Sequence, residues 1–287
     1  MFRSAIVGAI LALVPAAIPA AVAGQQAAAP KPTARTSVAP PDFQGYWQGS
    51  GYATVDEAYD LENGMPENER IITGRSAATT RTKRADVVVI DTPDRKIPYQ
   101  PWALALRDQL AKAAYAPTKL EDIDSLTRCF QMGVPRQSFL GGFQVVQMPG
   151  YVFIAHGNGG ARTISLDGRP HLDSKIKLWA GDSVGHWEGN TLVVDVTNIN
   201  EHGWYDVAGN FHSDNLHLVE RWTVVDANTL RYEVLNDDPK VFTKPWILKN
   251  EYKRNTEEGY EQWENSCFEG ERGVQLMLNA AKRANPQ

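Results

Sequence analysis

His186-Trp187-Glu188 sets an imidazole and a carboxylate two residues apart, a spacing that puts both on one face of a β-strand, and Asp195 follows on the next short apolar run. A carboxylate beside an imidazole fixes its tautomer and equips it for general acid or base work. His217 is a second proton carrier on a strand-like run, and Tyr205 and Tyr232 offer phenols. The catalytic candidates are therefore His217, His186, Glu188, Tyr205 and Tyr232. A planar guanidinium is the natural holder of a carboxylate, which makes Arg162, Arg221 and Arg136 the candidates for binding a substrate anion. Arg169, after Asp167-Gly168, reads as a turn residue. The competing reading of the first cluster is a Trp-anchored β-turn of satisfied polar groups, which Gly185, Gly189 and Asn190 fit well.

Other chemistries find less support. His186-x-Glu188 is a possible start of a metal site completed by His156, His171, His202, His212 or His217, but no His-x-x-x-His or Cys-x-x-Cys spacing accompanies it, and no metal is expected. Gly181-x-Ser183-x-Gly185 has the letters of a nucleophile elbow without the preceding strand and following helix that expose such a serine. There is no Gly-x-Gly-x-x-Gly and no phosphate loop, and Gly157 to Gly160 lies between strand-like runs, so no organic cofactor is implied. The formal net charge of −5 is interspersed along the chain, without the basic footprint that nucleic acid or an anionic membrane surface requires.

The elements that must position these residues read as mainly β. Short runs at Val87 to Ile90, Phe143 to Val146, Tyr151 to Ala155, Thr191 to Val196, Leu216 to Val225, Thr229 to Val234 and Trp246 to Tyr252 are separated by turn chemistry such as Met148-Pro149-Gly150. Leu216, Leu218, Glu220 and Trp222 alternate onto one face of their run and His217, Val219, Arg221 and Thr223 onto the other. Neither face is purely apolar, as suits a barrel strand lining a polar cavity or a charged sheet edge. One helix opens at Pro101 and runs to Lys112, and a second spans Val274 to Arg283. The expected fold is an antiparallel, lipocalin-like barrel with one or two peripheral helices. The polar stretch Asp56 to Arg84 reads as a surface insertion, lid or plain loop.

At the N-terminus, Arg3 precedes an apolar run from Ala5 to Val14 and Ala21-Val22-Ala23, the order of a cleavable secretory signal. Pro15 and Pro19 interrupt the run, which lacks the ~20 apolar residues of a membrane span. The expected organisation is a signal at 1–23, a flexible lead-in at 24–41 and a single domain at 42–287, exported to the periplasm or medium. In an oxidising compartment the two cysteines, Cys129 and Cys267, are expected to pair, closing a long loop for ~4–5 kcal/mol in the chain-entropy model.

Phe43-Gln44-Gly45-Tyr46-Trp47 resembles the Gly-x-Trp signature of the first strand of lipocalin-like barrels, where the Trp closes the barrel floor. Linked blocks cover Cys129 to Arg136, Gln147 to Gly150, Arg162 to Arg169, Gly181 to Asp195, Leu216 to Arg221, Asp238 to Trp246 and Cys267 to Gly270. By these blocks the chain resembles a largely uncharacterised family of exported bacterial proteins, marked by G-x-S-x-G-H-W-E-G-x-T-L-V-V-D and a C-x-E-G motif. It departs from that pattern at Phe268, where relatives tend to carry His, and at His156, where they tend to be acidic.

The leading expectation is a cofactor-independent lyase that decarboxylates or eliminates from an aromatic carboxylic acid, such as a plant- or lignin-derived phenolic. Arg162 or Arg221 would hold the carboxylate, His217 or His186 would exchange the proton, and a phenolic ring would serve as electron sink. Exported, cofactor-free lyases of aromatic catabolism in bacteria are in keeping with it. The alternatives are a periplasmic lipocalin-like protein that binds an aromatic or apolar ligand without turning it over, and a structural envelope protein. In the first two cases the partner is a small aromatic molecule.

Overall fold

The computed structural model describes residues 40–49, 55–56, 89–139, 142–157, 160–262 and 272–284. The described residues, from Pro40 on, all lie in one compact unit, Ala39–Gln287. The expected signal, nearly all of the lead-in, most of the 56–84 insertion and the Cys267 to Gly270 block lie outside the described residues. No helix among the described residues is long and apolar enough to cross a membrane.

Among the described residues ten strands follow one another: β1 (Gly45–Gly49), β2 (Val89–Ile90), β3 (Gly142–Met148), β4 (Tyr151–His156), β5 (Ala161–Ser165), β6 (Asp182–Glu188), β7 (Thr191–Thr197), β8 (His217–Asp226), β9 (Thr229–Asp237) and β10 (Trp246–Arg254). Nine of them close a mixed barrel in the order β1-β3-β4-β5-β6-β7-β8-β9-β10, sealed where Trp47 to Gly49 of β1 pair with Tyr252 to Arg254 of β10. The short β2 pairs with Leu248 and Lys249, covering the part of the β10 edge that β1 does not reach. Among the described residues, three α-helices accompany the barrel: α1 (Pro101–Tyr115), α2 (Arg136–Phe139) and α3 (Gly273–Ala284). The mainly β, lipocalin-like architecture expected from the sequence is the one observed.

One pairing is parallel. β5 and β6 meet only at Ile164↔Ser183 and Ser165↔Val184, and a parallel pair needs a long connection to bring the chain back to the same end. The segment 166–181 makes that crossover over the outside of the barrel. It ends at Gly181 (φ +65), where a Cβ would lie 2.6 Å from the Thr197 carbonyl oxygen. The Gly181-x-Ser183-x-Gly185 motif thus lies at the start of β6, with Ser183 buried and a hairpin, not a helix, after it.

Alternation decides what fills the barrel. Leu218, Glu220 and Trp222 of β8, Tyr232 and Val234 of β9 and Leu248 and Tyr252 of β10 are all fully buried, whereas His217, Val219 and Arg221 face outward. Trp47 lies on the closing strand β1. It is fully buried, its Nε1 donates to the Phe43 carbonyl at 3.0 Å, and the Arg254 guanidinium lies 4.4 Å from its ring centroid. The same guanidinium donates to the Gln44 carbonyl, tying the strand that closes the barrel to the chain entering it.

Trp47→Ala is expected to cost about 3–5 kcal/mol, the range for emptying a buried aromatic site. A urea titration followed by far-ultraviolet circular dichroism measures it.

Candidate functional site

Four strands and one short helix bring polar side chains together inside the barrel. Arg162 (β5) donates from Nη2 to Oε2 of Glu220 (β8) at 2.6 Å. The hydroxyl of Tyr232 (β9) donates to Oε1 of the same carboxylate, also at 2.6 Å. β5 and β8 are not neighbours in the sheet, so this pair crosses the interior. His156 (β4) lies on the same inner face: Arg162 is paired with Ile154, two residues before His156 on its strand. That places Arg162 and His156 as diagonal neighbours, at a typical separation of about 7–8 Å.

The buried helix α2 is the fifth contributor. Gly133 (φ +74) leads into it, with the Trp179 carbonyl oxygen 2.7 Å from where a Cβ would stand, so the chain turns there only with glycine. Arg136, Gln137, Ser138 and Phe139 are all at most 1% exposed. Tyr252 donates to the Ser138 carbonyl at 2.6 Å, and the Phe139 ring packs on Tyr232 at 5.4 Å. Aromatic rings enclose the polar groups: Trp222 lies 4.1 Å from Tyr232, and Phe143 lies 5.6 Å from Trp222 and 5.7 Å from His156.

The electrostatics follow from burial. The His156 ring is pushed down to about 3 by desolvation and by the Arg162 charge, with the nearby Gln137 carbonyl opposing, so it is a neutral imidazole at ordinary pH. Burial, then the Glu220 charge, raises the Tyr232 phenol well above its usual value, and burial does the same for Tyr252. Both remain hydroxyl donors. Several buried polar atoms have no hydrogen-bond partner among the described residues: Nε and Nη1 of Arg162, both ring nitrogens of His156, both amide atoms of Gln137 and the Ser138 hydroxyl. An unpaired buried polar group costs stability, and such groups gather where a protein receives something else. Together they can hold an oxyanion on the guanidinium, offer a neutral imidazole beside it and flank a flat ring with aromatic walls.

The sequence-based candidates divide between this interior and three other places. Arg162 and Tyr232 are inside. His217, His186, Glu188 and Arg221 lie on the outer wall, each at least 42% exposed. There His186 Nε2 meets Glu188 at 3.1 Å and Arg221 donates to Glu188 at 3.0 Å, so the two-residue spacing does put the imidazole and carboxylate on one face. Both contacts hold the Glu188 carboxyl below its usual range. Arg136 is buried but donates to both oxygens of Asp124, at 2.5 and 3.1 Å. Tyr205 is buried among Trp246, Phe242 and His212, apart from the cluster. Cys129 carries a positive φ of 64°, and Cys267 is outside the described residues.

A second polar chain runs along the outer wall and fastens the crossover. Arg169 donates to both oxygens of Asp182 at 2.9 and 2.6 Å, His171 bridges Asp182 and Asp195 at 2.9 and 2.8 Å, and His217 reaches Asp195 at 3.0 Å. Asn198 adds three carbonyl contacts, to Leu172, Asp173 and Ile176. Arg169 is the main reason the Asp182 carboxyl is held far below its usual value. This chain anchors a connection; it does not enclose a space.

Glu220, Gln137 and Ser138 are interior residues outside the sequence-based catalytic and binding candidates, and His156 entered there only as a possible metal ligand and a departure from the family pattern. Glu220 alone carried a visible signal, a charged residue on the apolar-rich phase of an alternating run. The other three depend on where α2 and the end of β4 are placed in space.

Glu220→Leu leaves a buried guanidinium without its carboxylate and is expected to cost about 3–5 kcal/mol, while Arg162→Met with Glu220→Leu recovers most of it; equilibrium urea unfolding of the two variants decides this. Asp182 titrates lower in the folded chain than in the unfolded one, so its contribution is complete above about pH 4–5 and is lost as pH falls toward its folded value. Asp182→Asn is therefore expected to be less stable at neutral pH and to lose less stability below pH 4, as thermal melts across an acid pH series will show.

No family model matches the chain, and no curated protein matches it.

Proposed function

We propose that the protein takes an aromatic carboxylic acid into its barrel and acts on it as a cofactor-independent lyase, by decarboxylation or elimination. The observation that carries this reading is Arg162. Its guanidinium is buried among aromatic rings with only Nη2 committed to Glu220, so Nε and Nη1 keep donors for a second oxyanion. Glu220, fixed between Arg162 and Tyr232, is the carboxylate that would take the proton of a phenolic hydroxyl. The resulting phenolate pushes electron density to the conjugated carbon that takes a proton, and the dienone so formed is the sink for the electron pair of the departing carboxylate. The site replaces the earlier candidates His217 and His186, which face the outside of the wall.

A second reading is a lipocalin-like binding protein for the same ligand class. The specific observation in its favour is that Arg162, Glu220, His156 and Tyr232 are all at most 5% exposed, a degree of enclosure that suits retention as well as turnover. Either reading carries the proposal of export through a cleaved segment at 1–23. It also includes a Cys129–Cys267 disulfide.

Incubating the purified protein, with chelator and without added cofactor, with a panel of aromatic acids tests the reading, following carbon dioxide release and product mass. Turnover is expected, falling about 100-fold or more in the Arg162→Met/Glu220→Leu double variant, which keeps the interior charge-neutral. Saturable quenching of tryptophan fluorescence without product would leave the binding protein; neither signal would sink both readings.

A further inference from the structure

The interior cluster is charge-matched before any ligand enters. Arg162 and Glu220 neutralise each other, Tyr232 and Tyr252 remain phenols, and His156 is a neutral ring. A carboxylate entering this space brings an additional negative charge into surroundings that exclude water, where an unmatched charge is strongly disfavoured. Either the anion stays out or a proton comes with it. The group that receives such a proton must be basic, close to Arg162 and free to accept.

We propose that His156 is that group: it takes up a proton when an aromatic carboxylate enters the barrel, and afterwards delivers it to the substrate carbon. The inference rests on the lyase and binding readings above. Among the described interior residues, His156 is the basic side chain with a ring nitrogen left to accept a proton, since the Gln137 carbonyl is the one acceptor that approaches its ring, and it shares an inner face with Arg162 at a diagonal position. Its surroundings from each packed element are known. Arg162 comes from β5, the Phe143 ring from β3 and the Gln137 carbonyl from α2; Glu220, Tyr232 and Tyr252 are the remaining ionisable groups of the cluster.

Burial is the main force that holds His156 neutral, and the Arg162 charge, the second, is the one a ligand would cancel. Desolvation and the Arg162 charge keep its proton off. A carboxylate on the guanidinium offsets that positive charge and attracts a proton to the neighbouring ring, so the ring titrates higher in the complex than in the free protein. Linkage sets the sign. Between the free and bound values, one proton enters with each ligand and affinity weakens up to about tenfold per pH unit as pH rises; above the bound value it levels off.

The same proton completes a decarboxylation. The ring's π electrons take the proton from the imidazolium to form the new carbon–hydrogen bond, and as carbon dioxide leaves, the electron pair of the bond between the substrate carbon and its carboxylate returns to the ring. Carboxylate and imidazolium become carbon dioxide, the protonated product and neutral His156. The next anion brings the next proton, so no oxidant, reductant or cofactor enters the balance.

Titration calorimetry with 4-hydroxybenzoate, and with the uncharged 4-hydroxybenzamide as control, tests this in buffers of different ionisation heat from pH 5.5 to 7.5. The expected result is uptake of about one proton per benzoate at pH 5.5, a dissociation constant that rises with pH, and no uptake with the amide. His156→Gln, with folding checked by circular dichroism and thermal melting, is expected to abolish the uptake and flatten the pH dependence. Benzoate binding without proton uptake, or uptake that persists in His156→Gln, overturns the inference and leaves the barrel site standing. Absence of binding by both compounds overturns the barrel site itself.

Discussion

A guanidinium and a carboxylate meet inside a β-barrel, and much of the interior is arranged around them. Arg162 and Glu220 belong to strands separated by two others, so their 2.6 Å contact spans the lumen and cannot form until β5 to β8 have closed around it. Removing two charges from water is expensive, and their attraction offsets that cost only with good geometry and satisfied oxygens. Tyr232 satisfies the second carboxylate oxygen, and the rings of Trp222, Phe143 and Phe139 exclude solvent around the pair. Register is part of the same constraint: a one-residue slip of β8 would turn Glu220 outward and bring Val219 and Arg221 in.

That arrangement also explains why the interior remains polar without being saturated. Glu220 has both oxygens engaged, whereas Arg162 keeps donors at Nε and Nη1, and His156, Gln137 and Ser138 stand by without partners among the described residues. A structural ion pair would be expected to have its surroundings satisfied. The donors in surplus are on the cationic partner, where the proposed ligand would bind.

The outer wall uses the same residue types for a different end. Arg169, Asp182, His171, Asp195 and His217 form a continuous chain that fastens the crossover between the two parallel strands. β5 and β6 share only two register pairs, so the weakest join of the barrel wall is also the one that the crossover spans. Exposed contacts of this kind are each worth little, since water competes for every partner. Their number and the buried Asp182 give them their effect.

Much of the architecture could be read from the amino-acid order, because strand alternation, turn residues and a proline at a helix start act over a few positions. The Leu216 to Trp222 alternation, the Pro101 helix and the Gly45-x-Trp47 strand are local patterns, and the structure places them as read. Arg162 and Tyr232 were recognisable as residues able to bind an anion or carry a proton. Which face of the wall each candidate occupies was less legible: His217 and Glu220 are three residues apart on one strand, and only barrel closure assigns one to the solvent and the other to the interior. The sequence alone determined a β-rich chain with chemistry-bearing side chains on its strands, since period and turn chemistry are short-range properties. The tertiary structure decided that Arg162, Glu220, Tyr232 and His156 meet in the barrel interior while His186, Glu188, His217 and Arg221 do not, because that depends on pairings between strands far apart in the chain.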